Sequence, residues 1–124
     1  MAVIYTTAVK NSRLDAVTSA IGATGVLEIG TTGMATVLAT IALANPAAAS
    51  AASGVLTFSG FPRSDTAADD TGIAAAARIR TSSGGTDIIT GLTVGTSGSD
   101  INLGSTNITA GQTVTINSAT ITHA

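Results

Sequence analysis

Few side chains in this 124-residue sequence could do chemistry, and their spacing limits what each could do. The one histidine, His123, is the penultimate residue. A general base needs an orienting partner and a cleft, and chain ends are rarely held that well, so His123 reads as a frayed residue. Three carboxylates, Asp65, Asp69 and Asp70, gather in the turn-rich stretch from Phe61 to Gly72. Calcium takes several oxygens at once, but this spacing lacks the alternating acids and terminal glutamate of a helix–loop–helix calcium loop. A solvated acidic loop is the simpler reading. No residue is marked as the acid in an apolar pocket that a glycosidase pair requires. Without cysteine there is no thiolate nucleophile, no thiolate metal site and no disulfide framework.

The glycine-rich segments fail as phosphate cradles. Gly22-Ala23-Thr24-Gly25 lacks a lysine after its second glycine and follows a predicted helix, whereas a phosphate loop precedes one. Gly95-Thr96-Ser97-Gly98 has the same defect and leads into a further β run. Arg78 and Arg80 stand two apart on a predicted strand and so share a face. They could grip a carboxylate on a partner, while the plainer alternative is an outer face kept soluble by charge. No enzyme, cofactor or metal reading survives, and the expectation is a non-catalytic protein.

Composition narrows the partners. The formal net charge is −2 with five Lys and Arg, which leaves no basic footprint for nucleic acid. The longest weakly polar stretch, Met34 to Ala44, is far below the ~20 residues of a membrane helix, and the run from Met1 to Tyr5 is too short for a secretory signal. No membrane partner is expected. Of 55 hydrophobic residues 23 are alanine, so the predicted core is thin and the isolated domain is expected to be only moderately stable.

The elements that must carry these residues follow from periodicity. Leu14, Val17 and Ile21 share one face of a helix predicted over about residues 9–21, capped by Asn11 or Ser12 and stopped by Gly22. After Gly25 the period becomes two. Strands are predicted at 26–29, 36–43, 55–59, 73–80, 87–94, 100–103, 107–109 and 112–122, with Ala47 to Ser53 a loop. Ser83-Gly84-Gly85 reads as a hairpin turn, Gly91 as a bulge, and a second bulge near Asn117-Ser118 reconciles Val114 and Ile116 with Ile121. One mainly β domain over residues 1–124 is expected: a small antiparallel β-sandwich or jelly-roll-like fold with one short N-terminal helix. Residues 1–8 would form an extended arm. A deletion of residues 2–6 would then spare every predicted element.

Three blocks of sequence add a resemblance. The first runs from Ala8-Val9-Lys10-Asn11-Ser12-Arg13-Leu14-Asp15-Ala16-Val17 into Ala20-Ile21-Gly22-Ala23 and Leu27-Glu28-Ile29. The second is Leu38-Ala39-Thr40-Ile41-Ala42-Leu43-Ala44-Asn45-Pro46 followed by Gly54-Val55-Leu56-Thr57. The third is Gly95-Thr96-Ser97-Gly98-Ser99-Asp100-Ile101-Asn102-Leu103, continued by Ile108-Thr109-Ala110-Gly111. Together they span nearly the whole chain and resemble small structural proteins of tailed bacteriophages. The segment from Phe61 to Gly72 matches least. The resemblance implies a virion component, specifically a head decoration (cement) protein bound over the major capsid protein, homo-oligomeric or multimeric on the lattice. It implies no catalytic or ligand residue. A tail- or fibre-associated β-sandwich is the alternative, with a host-surface carbohydrate-binding domain behind it. Candidate partner contacts are the apolar leader Ala2, Val3, Ile4 and Tyr5, the Phe61-Pro62-Arg63 corner with its exposed aromatic, and Arg78 and Arg80.

Overall fold

The computed structural model describes residues 3–82 and 84–123. Among them one α-helix, α1 (Thr7–Ile21), precedes ten strands: β1 (Val26–Gly30), β2 (Val37–Ala42), β3 (Val55–Thr57), β4 (Arg63–Asp65), β5 (Gly72–Ile73), β6 (Ala76–Arg80), β7 (Asp87–Gly95), β8 (Ile101–Leu103), β9 (Asn107–Ile108) and β10 (Val114–Thr122), with a short 3-10 turn at Thr32–Met34 between β1 and β2. The fold is mainly β, a small sandwich-like domain built from a curled sheet, with one N-terminal helix.

The core is laid down in rows across the strands. β1 runs between β2 and β6, antiparallel to both, and all five of its residues are buried. Leu27 lies opposite Ile41 and Ile79, and Ile29 opposite Ala39 and Ala77. Such cross-strand apolar pairs are the unit of sheet stabilisation. Leu92 of β7, Ile101 and Leu103 of β8, Val114, Ile116 and Ala119 of β10, and Leu56 of β3 continue the same buried cluster. Leu14 and Ile21 of α1 are buried in it, with Val17 packed alongside, as the helical spacing predicts.

The strands follow the order β2-β1-β6-β7-β8-β10-β3, with β4 also paired to β10. β3 lies along Thr120–Thr122 and β4 along Val114–Ile116. The remaining side of β2 is met by β4 and the loop after it, through side chains and one backbone amide. Arg63 Nη1 donates to the Ala42 carbonyl at 2.8 Å, and the Thr40 amide donates to Asp65 Oδ2 at 3.0 Å. The Asp69 amide donates to the Leu38 carbonyl at 2.7 Å, and Thr40 Oγ1 donates to Asp69 Oδ2 at 3.3 Å. One end of the sheet is thereby fastened to the other, and the backbone groups of an edge strand are satisfied.

Both predicted bulges are present. Gly91, at φ 74°, belongs to an extra residue of β7 opposite Ala77 to Ile79, and β10 shifts register between Ile116 and Ser118. Glycine fits the first site because its backbone is left-handed there. The second bulge lets Val114, Ile116 and Ala119 all face the core. β7 and β8 pair in parallel, a departure from the all-antiparallel expectation. Asp100 Oδ2 accepts from the Thr93 amide (3.0 Å) and hydroxyl (3.1 Å), drawing the short 96–100 link back along β7.

Three local expectations need correction. The helix begins at Thr7 and is capped by Thr6, whose Oγ1 accepts from the Val9 amide at 3.3 Å, so neither Asn11 nor Ser12 is the cap. The predicted strand over 73–80 is two strands, because the parity of burial changes at Ala74. Ala74 is buried and Ile73 is 63% exposed on β5, which pairs with β9. Residues 63–65, read as loop, form β4 because β10 supplies a ladder that local sequence does not reveal.

On the outward face of β1, Glu28 is 5% exposed and lies opposite Arg78. Arg78 Nε contacts Glu28 Oε1 at 2.6 Å, Arg80 Nη1 stands 3.8 Å from the same oxygen, and Arg80 Nε lies 2.8 Å from Asp87 Oδ1. The Arg80–Asp87 approach is close in charge but poorly aligned as a hydrogen bond. Removing one partner of a buried pair leaves the other charge uncompensated. Glu28→Ala should therefore lower unfolding free energy by about 2 kcal/mol. Asp87→Ala, at an exposed end of the network, should cost less than about 0.5 kcal/mol. Urea denaturation of the two variants checks this, and equal costs would contradict it.

Candidate functional site

The apolar leader is where the sequence places a docking arm, and Ala2 of that leader lies outside the described residues. Val3 and Ile4 are 79% and 83% exposed and have no regular secondary structure. Thr6 continues extended (φ −63°, ψ 158°) into the helix cap. Val9, on the first helical turn, adds a third exposed apolar side chain.

The root of this segment is held. The Arg13 guanidinium sits over the Tyr5 ring, 4.5 Å from its centroid, and the His123 ring meets it edge-on at 5.8 Å. A cation over an aromatic face is attracted by the ring quadrupole, and an edge-to-face pair is the favoured aromatic geometry. His123 is not frayed, in contrast to the sequence expectation: its amide donates to the Gly54 carbonyl at 2.9 Å. Asn11 Oδ1 accepts from the Gly54 amide at 2.9 Å and Asp15 Oδ1 from the Ala51 amide at 2.7 Å. The helix is thus tied to the loop that leads into β3. Tyr5 and Thr6 belong to this structure, so a deletion of residues 2–6 would damage the helix start. Val3 and Ile4, ahead of that root, are the exposed part.

The other candidates are engaged within the chain. Phe61 is half-buried against the core rather than exposed, Pro62 is exposed, and Arg63 is turned onto β2. Arg78 and Arg80 are half-buried beside Glu28, so their face is not simply solvated. Asp65 and Asp69 are bonded to Thr40, and Asp70 Oδ1 accepts from the Thr71 amide at 2.8 Å. Among the described residues no group of three or more acids and histidines is placed to hold a metal ion. No helix there is long and apolar enough to cross a membrane. Two open grooves of about 230 and 240 Å³ are present, one beside Gly104 and Gln112–Thr115, the other between Asp15, Thr18 and Ala48–Ser50.

Comparison with known proteins gives no relative: no family model, curated protein or solved structure matches the chain.

Sequence reasoning missed the Arg13–Tyr5–His123 cluster and the Glu28 anchor. Residues 5 and 123 meet only through tertiary structure, which no local spacing encodes. For Glu28 a signal existed, since a lone acid inside Val26-Leu27-Glu28-Ile29 demands a cation if the strand is buried. Tyr5→Ala should cost about 0.5–1 kcal/mol of stability and speed proteolysis ahead of Thr7, with the core fold intact. Thermal melts and limited proteolysis read both effects; an unchanged cleavage rate would show that the ring contacts hold nothing.

Proposed function

We propose that this chain is a structural, non-enzymatic virion protein of a tailed phage, a head decoration protein that binds the major capsid protein lattice and stabilises the head. The support is of two kinds. The three sequence blocks resemble small phage structural proteins over nearly the whole chain. The carrying observation is Val3-Ile4, an apolar segment projected into solvent from a fixed root, in a domain whose other large apolar side chains are mostly covered. Exposed apolar surface of this kind marks interaction sites. An extended segment can satisfy both its backbone and its side chains by adding to a neighbouring sheet edge.

Cementing is what docking of such a segment on a lattice would achieve. A domain carried on the outer shell and docked on adjacent subunits raises the cost of separating them, and lattice binding adds to the stability of a small, alanine-rich core. In this reading the protein is made in the bacterial cytoplasm and resides on the phage head.

Cosedimentation with undecorated heads of the phage that encodes it is the test, alongside copy number in virions. Hundreds of copies per particle and saturable head binding are expected. A few copies per particle would place the protein in the tail or neck instead. Deleting residues 2–4 should leave the melt unchanged but weaken head binding by at least about tenfold, the loss of one or two buried apolar side chains. Binding as tight as that of the full chain would move the docking surface elsewhere on the domain.

A further inference from the structure

The segment from Arg63 to Asp69 lies between two strands and is held differently by each. Its hold on β10 and the turn before it is backbone. β4 pairs with Val114–Ile116, the Ala68 amide donates to the Gln112 carbonyl at 2.9 Å, and the Gly111 amide donates to the Ala68 carbonyl at 2.9 Å. Its hold on β2 is mainly side chain: Arg63 on the Ala42 carbonyl, Asp65 on the Thr40 amide and Asp69 on the Thr40 hydroxyl. One backbone bond, from the Asp69 amide to the Leu38 carbonyl, stands beside them. Arg63 and Asp65 are half-buried and Asp69 is exposed, so water reaches this seam. It is the line along which the curled sheet opens with the least backbone bonding lost.

β2 has little protection of its own. Met34 to Ala44 contains no charged residue, glycine or proline, and although the register on β1 shifts at Leu38, it runs regularly from Ala39 to Ala42. Charges and prolines are what edge strands commonly use to refuse a neighbour. The two backbone groups of β2 that side chains answer, the Thr40 amide and the Ala42 carbonyl, are a donor and an acceptor two residues apart on one edge. A second β2 laid antiparallel about Ile41 brings the same pair in reverse, so that each Thr40 amide meets the other copy's Ala42 carbonyl. The two strands bring no like charges together.

We infer that residues 63–69 form an autoinhibitory strap: they cover an edge of β2 that fits a second copy of this chain, and their release lets two β2 strands pair. Asp65 and Arg63 stand in for the acceptor and the donor that the second copy brings. This is independent of the decoration reading, which concerns the N-terminal segment.

Sedimentation equilibrium of the full-length chain tests the strap. Asp65→Ala leaves the Thr40 amide without its acceptor and should form a dimer at least about tenfold more tightly than wild type. Adding Ala42→Pro should return the variant to wild-type behaviour, because proline removes an outward N–H and its ring blocks an incoming strand while the ladder to β1 is spared. Thermal melts establish that each variant is folded, and Ala42→Lys replaces the proline if that variant is not. Should Asp65→Ala fail to fold, Asp69→Ala takes its place, with a gain of at least about threefold. A folded strap variant no more associated than wild type overturns the inference, and so does a dimer that persists when the edge at Ala42 is blocked.

Discussion

β2 carries an edge that no strand pairs with among the described residues, and the architecture depends on how its backbone groups are met. In a flat sheet that edge would be a template for another chain. Here the sheet curls until β4, fastened to β10 at the far end, lies against β2, and the contact is made mainly by side chains, with one backbone bond from Asp69, instead of a ladder. Arg63 answers a carbonyl, Asp65 answers an amide, and Asp69 answers a second carbonyl with its backbone amide and the Thr40 hydroxyl with its carboxylate. The acidic loop, which reads from sequence as a solvated one, fastens β2 through Asp65 and Asp69.

Closure explains how so little apolar material forms a core. A curled sheet covers its inner face with itself, so alanines at 39, 77 and 119 fill rows between Ile29, Leu92 and Ile116 without a second full sheet. The helix contributes Leu14, Val17 and Ile21 and packs on β3. On the outward side Glu28 takes the place of an apolar residue because two arginines of β6 reach it. With these charges paired within the chain, Val3 and Ile4 are the most exposed large apolar side chains among the described residues.

The strand and helix pattern was legible because it rests on local periodicity. Leu14, Val17 and Ile21 announce a helix face, and the conflict of parity between Ile116 and Ile121 announces a bulge that the register of β10 contains. What was not legible depends on contacts between distant residues. β4 exists because β10 lies beside it, Thr6 outcompetes Asn11 as a cap because Asn11 is drawn to Gly54, and His123 is ordered because Tyr5 and Gly54 receive it. The exposure of the leader was anticipated from its lack of any place in the periodicity; its clasped root was not.

The closure of the sheet is tested most directly by amide hydrogen exchange at Thr40. In wild type this amide should exchange slowly, within about tenfold of the Leu27 and Ile29 amides of the buried neighbouring strand β1, because Asp65 holds it. In Asp65→Ala it should lose at least about tenfold in protection while Leu27 and Ile29 change far less. A Thr40 amide that exchanges at the rate of an exposed loop in wild type, or that is indifferent to the loss of Asp65, would mean that the sheet is open at β2.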